Sequence, residues 1–436
     1  MMRSLFSAVS GLKAHQTKMD VIGNNIANVN TVAYKSQSMT FSEVFYQTTQ
    51  TASGPNAESG KGGTNAMQIG LGSSVGAIST AISTEGATER TDNPYDLSIS
   101  GDSFFIVNSA GNTYFTRAGN FKVDESGALV TAGGANVMGW QVDEDGNIVK
   151  DLVSELYIKS SKFTYTTPEK TTAVSLTGNL QSSSDDDITT TINFYDSLGS
   201  SYQATLTLHR EGQTGTEVSY SITNTSVTKD GVATDIKLSV VGDQKLVFNS
   251  VTGLSADDNS AIMFDITSDT LTGESLDILG DANHQLTLDA SGITMFADKT
   301  SIKNYLGIDG KGAGKAVGTM TSVGIDNSGC IIASYSNGDT RTIGQIAVTS
   351  FSNPEGLEKV GENLYAATLN SGEFDGIGQD VSASDGKISS GVLEMSNVDL
   401  SSEFTNMITT QRGYQANSRI ITVSDSMLEE LINLKR

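Results

Sequence analysis

The chain has 436 residues with 45 Gly, 4 Pro, aromatics at 7% and a formal net charge of −23. That length supports two or three domains with proper cores, and the Gly-rich, Pro-poor composition suits many short strands joined by tight turns. The acidic charge excludes a nucleic-acid binder, which needs the opposite sign, and no segment reaches the ~18 apolar residues of a membrane span.

The first element is an amphipathic helix. Leu5, Leu12, Met19 and Ile26 stand seven residues apart, flanked by Ala8, Val9 and Ile22 at the steps that complete one face. Ser4 is placed to cap it, and Asn24, Asn25, Asn28, Asn30 and Thr31 end it near Ala27, because short amides compete for backbone groups in turns. Residues 39–75 are read as an extended connector: Thr31 to Gln50 is rich in Thr, Tyr, Phe and Val, as extended or mixed structure is, and 51–76 is Gly, Ser, Thr, Asn and Ala with little apolar periodicity. A β domain is predicted over 76–150, with strand-like runs such as Phe104 to Val107 and turns such as Asp124-Glu125-Ser126-Gly127.

From 151 to 315 the composition shifts to Thr, Ser and Asp with alternating apolar residues, as in Thr189 to Tyr195 and Tyr202 to His209. This predicts a second, inserted β domain. Over 316–394 the style of the first domain returns, with Asp326-Asn327-Ser328-Gly329 and Ser336-Asn337-Gly338-Asp339 as turns. Cys330 is alone, which forbids an intramolecular disulfide, and within Gly329-Cys330-Ile331-Ile332 it reads as a small buried residue of a strand. The chain closes in a second helical stripe, in which Met407, Tyr414, Ile421 and Leu428 are seven apart and Phe404, Ile408, Leu431 and Ile432 widen the face.

The fold class expected is therefore α+β: discontinuous, mainly antiparallel β domains with terminal helices forming a coiled-coil-like inner domain from 1–38 and 395–436. Neither stripe carries enough apolar surface to hold itself together, since isolated helices are marginal in water. Both ends are expected to be largely disordered in a free monomer and to order when copies pack together. Charge agrees with that use. Residues 1–38 carry Arg3, Lys13, Lys18 and Lys35 against Asp20 alone, and 395–436 balance to within one charge, so the acid sits in the body between.

No enzyme site can be assembled. Gly60-Lys61 has Pro55 where a phosphate loop needs Gly and Gly62 where it needs Ser or Thr. Asp143-Glu144-Asp145-Gly146 lacks the remaining ligands of a calcium loop and reads as a turn, and Asp185-Asp186-Asp187 as a solvated loop. His15, His209 and His284 form no catalytic pattern, so no cofactor and no metal are expected.

The chain resembles a known family at both ends. Ser7-Ala8-Val9-Ser10-Gly11-Leu12, Gly23-Asn24-Asn25-Ile26-Ala27-Asn28, then Thr31, Tyr34 and Lys35, are similar to the N-terminal signature of axial proteins of the bacterial flagellar rod and hook. Ser390-Gly391-Val392-Leu393-Glu394-Met395-Ser396-Asn397-Val398-Asp399-Leu400, with Glu403, Gln411-Arg412 and Tyr414-Gln415-Ala416-Asn417, resembles its C-terminal signature. Asp96 to Phe105, Thr116 to Phe121 and Tyr335 to Gly338 are similar to the shared β domain, and Gly178-Asn179-Leu180 and Tyr195 to Gly199 to the outer domain of hook members. Rod members are shorter, so length favours hook over rod; a secreted glycan-binding or glycan-cleaving β protein is the reading from another class.

The resemblance implies a non-enzymatic homopolymer outside the cell, exported by the flagellar type III apparatus without a cleaved signal peptide. It implies contact with rod, hook-cap and hook-filament junction proteins, and a tube lined by the terminal helices that carries motor torque to the filament. One departure is Ala33, where the family usually has Gly; the alanine predicts an ordinary negative φ there.

Overall fold

The computed structural model describes residues 2–55, 60, 62–143, 146–255, 261–268, 279–281, 283–384 and 386–434. The chain forms two compact units, one of Met1–Ser160, Val323–Ala333 and Arg341–Arg436, the other of Ser161–Ser322 and Ser334–Thr340. The described residues are mostly antiparallel β-sheet with one long helix near each end.

In the first unit, α1 spans Met2–Ala27, starting ahead of the expected Ser4 cap. A four-residue α2, Ser161–Thr164, belongs to the second unit, and α3 spans Leu400–Asn433. Asp399 starts α3: its Oδ1 accepts from Ser401 N at 2.9 Å and Ser402 N at 3.5 Å, satisfying donors that a helix start leaves open. The helix thus begins four residues before the apolar stripe that announced it.

The connector expected over 39–75 is instead a β ribbon. Strand β1 (Gln37–Glu43) leads into β2 (Tyr46–Gln50), and β3 (Met67–Gly70) into β4 (Ser73–Thr80); β1 pairs with β4 and β2 with β3, all antiparallel. Only one face of the lower ribbon is apolar, with Met39 opposite Ile78 and Phe41 opposite Val75. The other is a hydroxyl ladder, where Ser38 and Ser79 meet at 3.1 Å and Ser42 and Ser74 at 2.8 Å. Such a strand reads as a polar connector because the hydroxyls dilute its alternation.

Strands β5 (Thr88–Arg90), β6 (Leu97–Ser100), β7 (Ser103–Ser109) and β8 (Asn112–Thr116) open the β body. The returning chain pairs back onto them: Lys387–Ser390 on β6, Val392–Glu394 on β5, Leu364–Ala366 on β8. The core holds Phe104, Ile106, Phe115, Trp140 and Tyr365. Residues 151–160, assigned from sequence to the insert, belong to this unit, with Ser154–Glu155 paired on Asn136–Gln141 and Leu156 and Ile158 buried. Asp326 makes the expected turn, its Oδ1 accepting from Cys330 N at 2.8 Å. Cys330 itself is half-buried rather than buried, because the alternation of Cys330–Tyr335 puts Ile331 and Ala333 inward. Burial nonetheless pushes its thiol pKa up.

The second unit contains a five-stranded sheet in the order Ile236–Val240, Ala261–Ser268, Gln285–Thr294, Ala173–Asn179, Ser301–Leu306, in which Ala173–Asn179 and Gln285–Thr294 run parallel. A second sheet joins Ile188–Tyr195, Ser201–Thr214 and Glu217–Lys229 antiparallel. Their inward faces alternate into one core of residues including Val174, Phe194, Leu206, Phe248, Phe264 and Leu288.

Candidate assembly interface

The helices α1 and α3 run antiparallel, with Gly11 beside Asn417, His15 beside Gly413 and Asn25 beside Glu403. A Cβ on Gly11 would lie 2.9 Å from Asn417 Nδ2, and one on Gly413 2.6 Å from His15 Cε1, so glycine on each helix receives a larger side chain from the other. Ala8, Ala14 and Ile22 of α1 and Thr410 and Ser424 of α3 are buried. The seam is thus made largely of small and polar side chains. Burial and the neighbouring Lys18 lower the pKa of His15, whose ring stands 5.3 Å from that of Phe41.

Within one chain the residues expected to make self-assembly contacts differ in exposure. Ile22 is buried in the chain, while Leu5, Leu12, Met19, Ile26, Met407, Ile421 and Leu428 are half-covered along the margins. Val9, Phe404, Ile408, Tyr414 and Leu431 are exposed, and so are Phe6, Ile420, Val423, Met427 and Ile432. Sequence periodicity missed Ile420, Val423 and Met427, which form a second stripe one position from the heptad series. A count of apolar residues by helix face would have found them.

At the inner end of the helix pair, residues of both terminal motifs meet in a buried polar latch. Asn25 is fully buried: its Oδ1 accepts from Gln37 N at 2.9 Å and from Tyr34 Oη at 3.2 Å, while its Nδ2 donates to Gln37 O at 2.8 Å and Glu403 Oε1 at 3.0 Å. Asn24 Nδ2 donates to Tyr34 Oη at 3.0 Å, Asn28 Nδ2 to Asn24 O at 2.9 Å, and Thr31 Oγ1 to Asn28 Oδ1 at 3.1 Å. Asn397 bridges the chain's two ends, accepting from Ser36 N at 2.8 Å and donating to Ala81 O at 3.0 Å. Val398 N donates to Ser396 Oγ at 3.3 Å in the same turn.

Below it lies an ionic cluster. Lys35 Nζ is 2.7 Å from Glu394 Oε1 and donates to Thr84 O at 2.6 Å; Gly86 N donates to Glu394 Oε1 at 3.0 Å; Arg117 Nε stands 3.5 Å from Glu394 Oε2. Arg117 also donates to Ile99 O and Gly101 O. Burial lowers the pKa of Lys35, and Glu394 opposes that shift. Lys35 was legible as a motif residue; Glu394 and Arg117 were legible only as parts of longer runs, since nothing in a sequence marks partners 359 positions apart.

Ala33 sits at φ +54, in the left-handed region, against the ordinary φ expected for alanine. Its amide donates to Glu394 O at 2.8 Å, and Asn363 Nδ2 holds the preceding carbonyl at 2.9 Å, so the latch fixes a turn that glycine would adopt freely. Gln411 and Arg412 lie outside the latch, exposed on α3.

No three His, Cys, Asp or Glu side chains converge among the described residues. Asp185 pairs with Arg210 and Asp187 with His209 at the surface, whose imidazole pKa that carboxylate raises. Lys61, Glu144 and Asp145, on which the phosphate-loop and calcium-loop comparisons rested, lie outside the described residues.

A β body whose entering and leaving strands are locked together beneath paired terminal helices defines the class of flagellar axial subunits. Three family descriptions match in chain order: "Flagella basal body rod protein" over residues 5–35, "Flagellar hook protein FlgE/F/G D1 domain" over 98–234, and "Flagellar basal body rod FlgEFG protein C-terminal" over 389–434. The chain belongs to the flagellar hook protein family. It is 37% identical to the flagellar hook protein FlgE of Borreliella burgdorferi and 35% identical to that of Treponema pallidum, each match covering all of both chains. The flagellar basal-body rod protein FlgG of Bacillus subtilis is 30% identical, again over all of both chains. The two higher identities are to hook proteins.

Proposed function

We infer that the chain is a structural subunit of the bacterial flagellar hook, assembling into a flexible helical tube that couples the rotating rod to the filament. The observation that carries the assembly mechanism is α3. Its inner seam is small and polar, while Phe404, Ile408, Ile420, Val423, Met427 and Leu431 point out unpaired. Large apolar residues left open along a helix call for a covering surface, and copies of the same chain supply it. On this reading the terminal helices form a coiled-coil-like inner layer, with the residues from Leu5 to Ile26 and Phe404 to Leu431 as its contacts, and the β units lie outside it.

The role is structural rather than enzymatic. The same reading assigns the chain to the extracellular flagellum, reached unfolded through the type III export apparatus without a cleaved signal. Rod, hook-cap and hook-filament junction proteins are its other partners. Free subunits hold their ends loosely, because the α1–α3 seam buries little large apolar surface. Far-ultraviolet dichroism of monomer beside polymer should show helix gained on assembly, and Val423→Asp should block polymerisation. Terminal helices already rigid and exchange-protected in single molecules, or tubes forming after their removal, would overturn the mechanism.

A further inference from the structure

The ribbon of β1 to β4 has a face that its own chain leaves open. Met67, Ile69 and Leu71 alternate onto one side, and Leu71 N donates to Phe45 O at 3.1 Å, which sets Phe45 across from them. Phe45 is 78% exposed, Met67 55% and Ile69 45%. A two-stranded hairpin is marginal in water, and a contiguous apolar patch on one marks a contact. At its foot the ribbon rests on α1, where Ser73 N donates to Ser10 Oγ at 3.3 Å and Phe41 meets His15. Glu43 is the one charged residue in the four strands.

Helix α3 carries the matching surface. A groove of about 1030 Å³ runs along it, lined by Arg412, Tyr414, Arg419, Ile420, Val423 and Met427 among others. Its lining has two arginines and no acid, in a chain whose net charge is −23.

We propose that the ribbon of one copy docks through Phe45, Met67 and Ile69 into the α3 groove of a neighbouring copy, with Glu43 beside Arg412 and Arg419. The proposal rests on the assembly reading above and names what covers α3. Donor and acceptor are different surfaces, so the contact is head-to-tail and propagates instead of closing a pair, as a tube requires. The opposite charges set its register, and the apolar face supplies the contact area.

The test uses the full chain. A benzophenone side chain replaces Phe45, or Gln47 on the same face should the first change block assembly. Isotope-labelled and unlabelled copies are then polymerised together, irradiated and mapped by mass spectrometry. Cross-links joining differently labelled copies, from the ribbon to residues between 412 and 427, are expected. Cross-links confined to one copy, or running to the β units of a neighbour, overturn the docking and leave hook assembly standing; unmodified chains that form no polymer overturn both. Glu43→Arg should raise the concentration needed for polymerisation about tenfold, with Arg419→Glu in the same chain restoring it. A single variant that polymerises like the parent removes the charge pairing and with it the proposed register.

Discussion

Glu394 takes hydrogen bonds from Lys35 and Gly86 on one oxygen and faces Arg117 with the other, at 2% exposure. Its negative charge is what lets two cations, each 1% exposed, lie in the same interior. Glu394→Gln keeps the shape and removes the charge, leaving Lys35 and Arg117 without the carboxylate they share. Loss of one member of a buried pair costs about 3–5 kcal/mol, and the urea midpoint of the chain should fall accordingly. Arg90→Ala is the control: its pair with Asp92 lies in water, and the midpoint should stay where it was.

Among the elements, the closest approach around the latch is backbone on backbone. A Cβ built on Gly86 falls 1.9 Å from Met395 O, so the loop entering the β body and the strand leaving it touch where a side chain has no room. Gly86→Ala must push the two apart and should cost about 1–3 kcal/mol, read as a lower thermal midpoint with no change in the second unit. This contact also shows where sequence reading stops. The helices were legible because Leu5 to Ile26 and Met407 to Leu428 repeat every seven residues, and the turn at Asp326 because its side chain acts within five residues. The ribbon was lost because Ser38, Ser42, Ser74 and Ser79 mask the alternation of Met39, Phe41, Val75 and Ile78. Which helix face turns inward was not legible for a related reason. Gly11, Ala14 and Gly413 admit closer packing than the large residues do, and closeness is invisible to a hydrophobicity pattern. The latch needed the fold, since Lys35 and Glu394 come together only after the whole body has been threaded between them.

For the whole molecule, each compact unit has a core of its own, which predicts unfolding that is not two-state. Calorimetry of the full chain should resolve more than one transition. Leu206→Ala, at a fully buried position of the second unit, should lower one of them by the equivalent of about 2–5 kcal/mol and leave the other in place. A single transition that moves as a whole would show the units to be coupled in stability.

The pairing of Val392–Glu394 with β5, and of Lys35 with Glu394, has a mechanical outcome. A body hung from one strand of polypeptide can spin about its single bonds and dissipate any twist applied above it. Here two backbones leave side by side and are pinned at the same buried point, so that freedom is gone. Rotation imposed on the helices has to turn the β body with them, as a two-legged bracket turns a load that a cord would let slip.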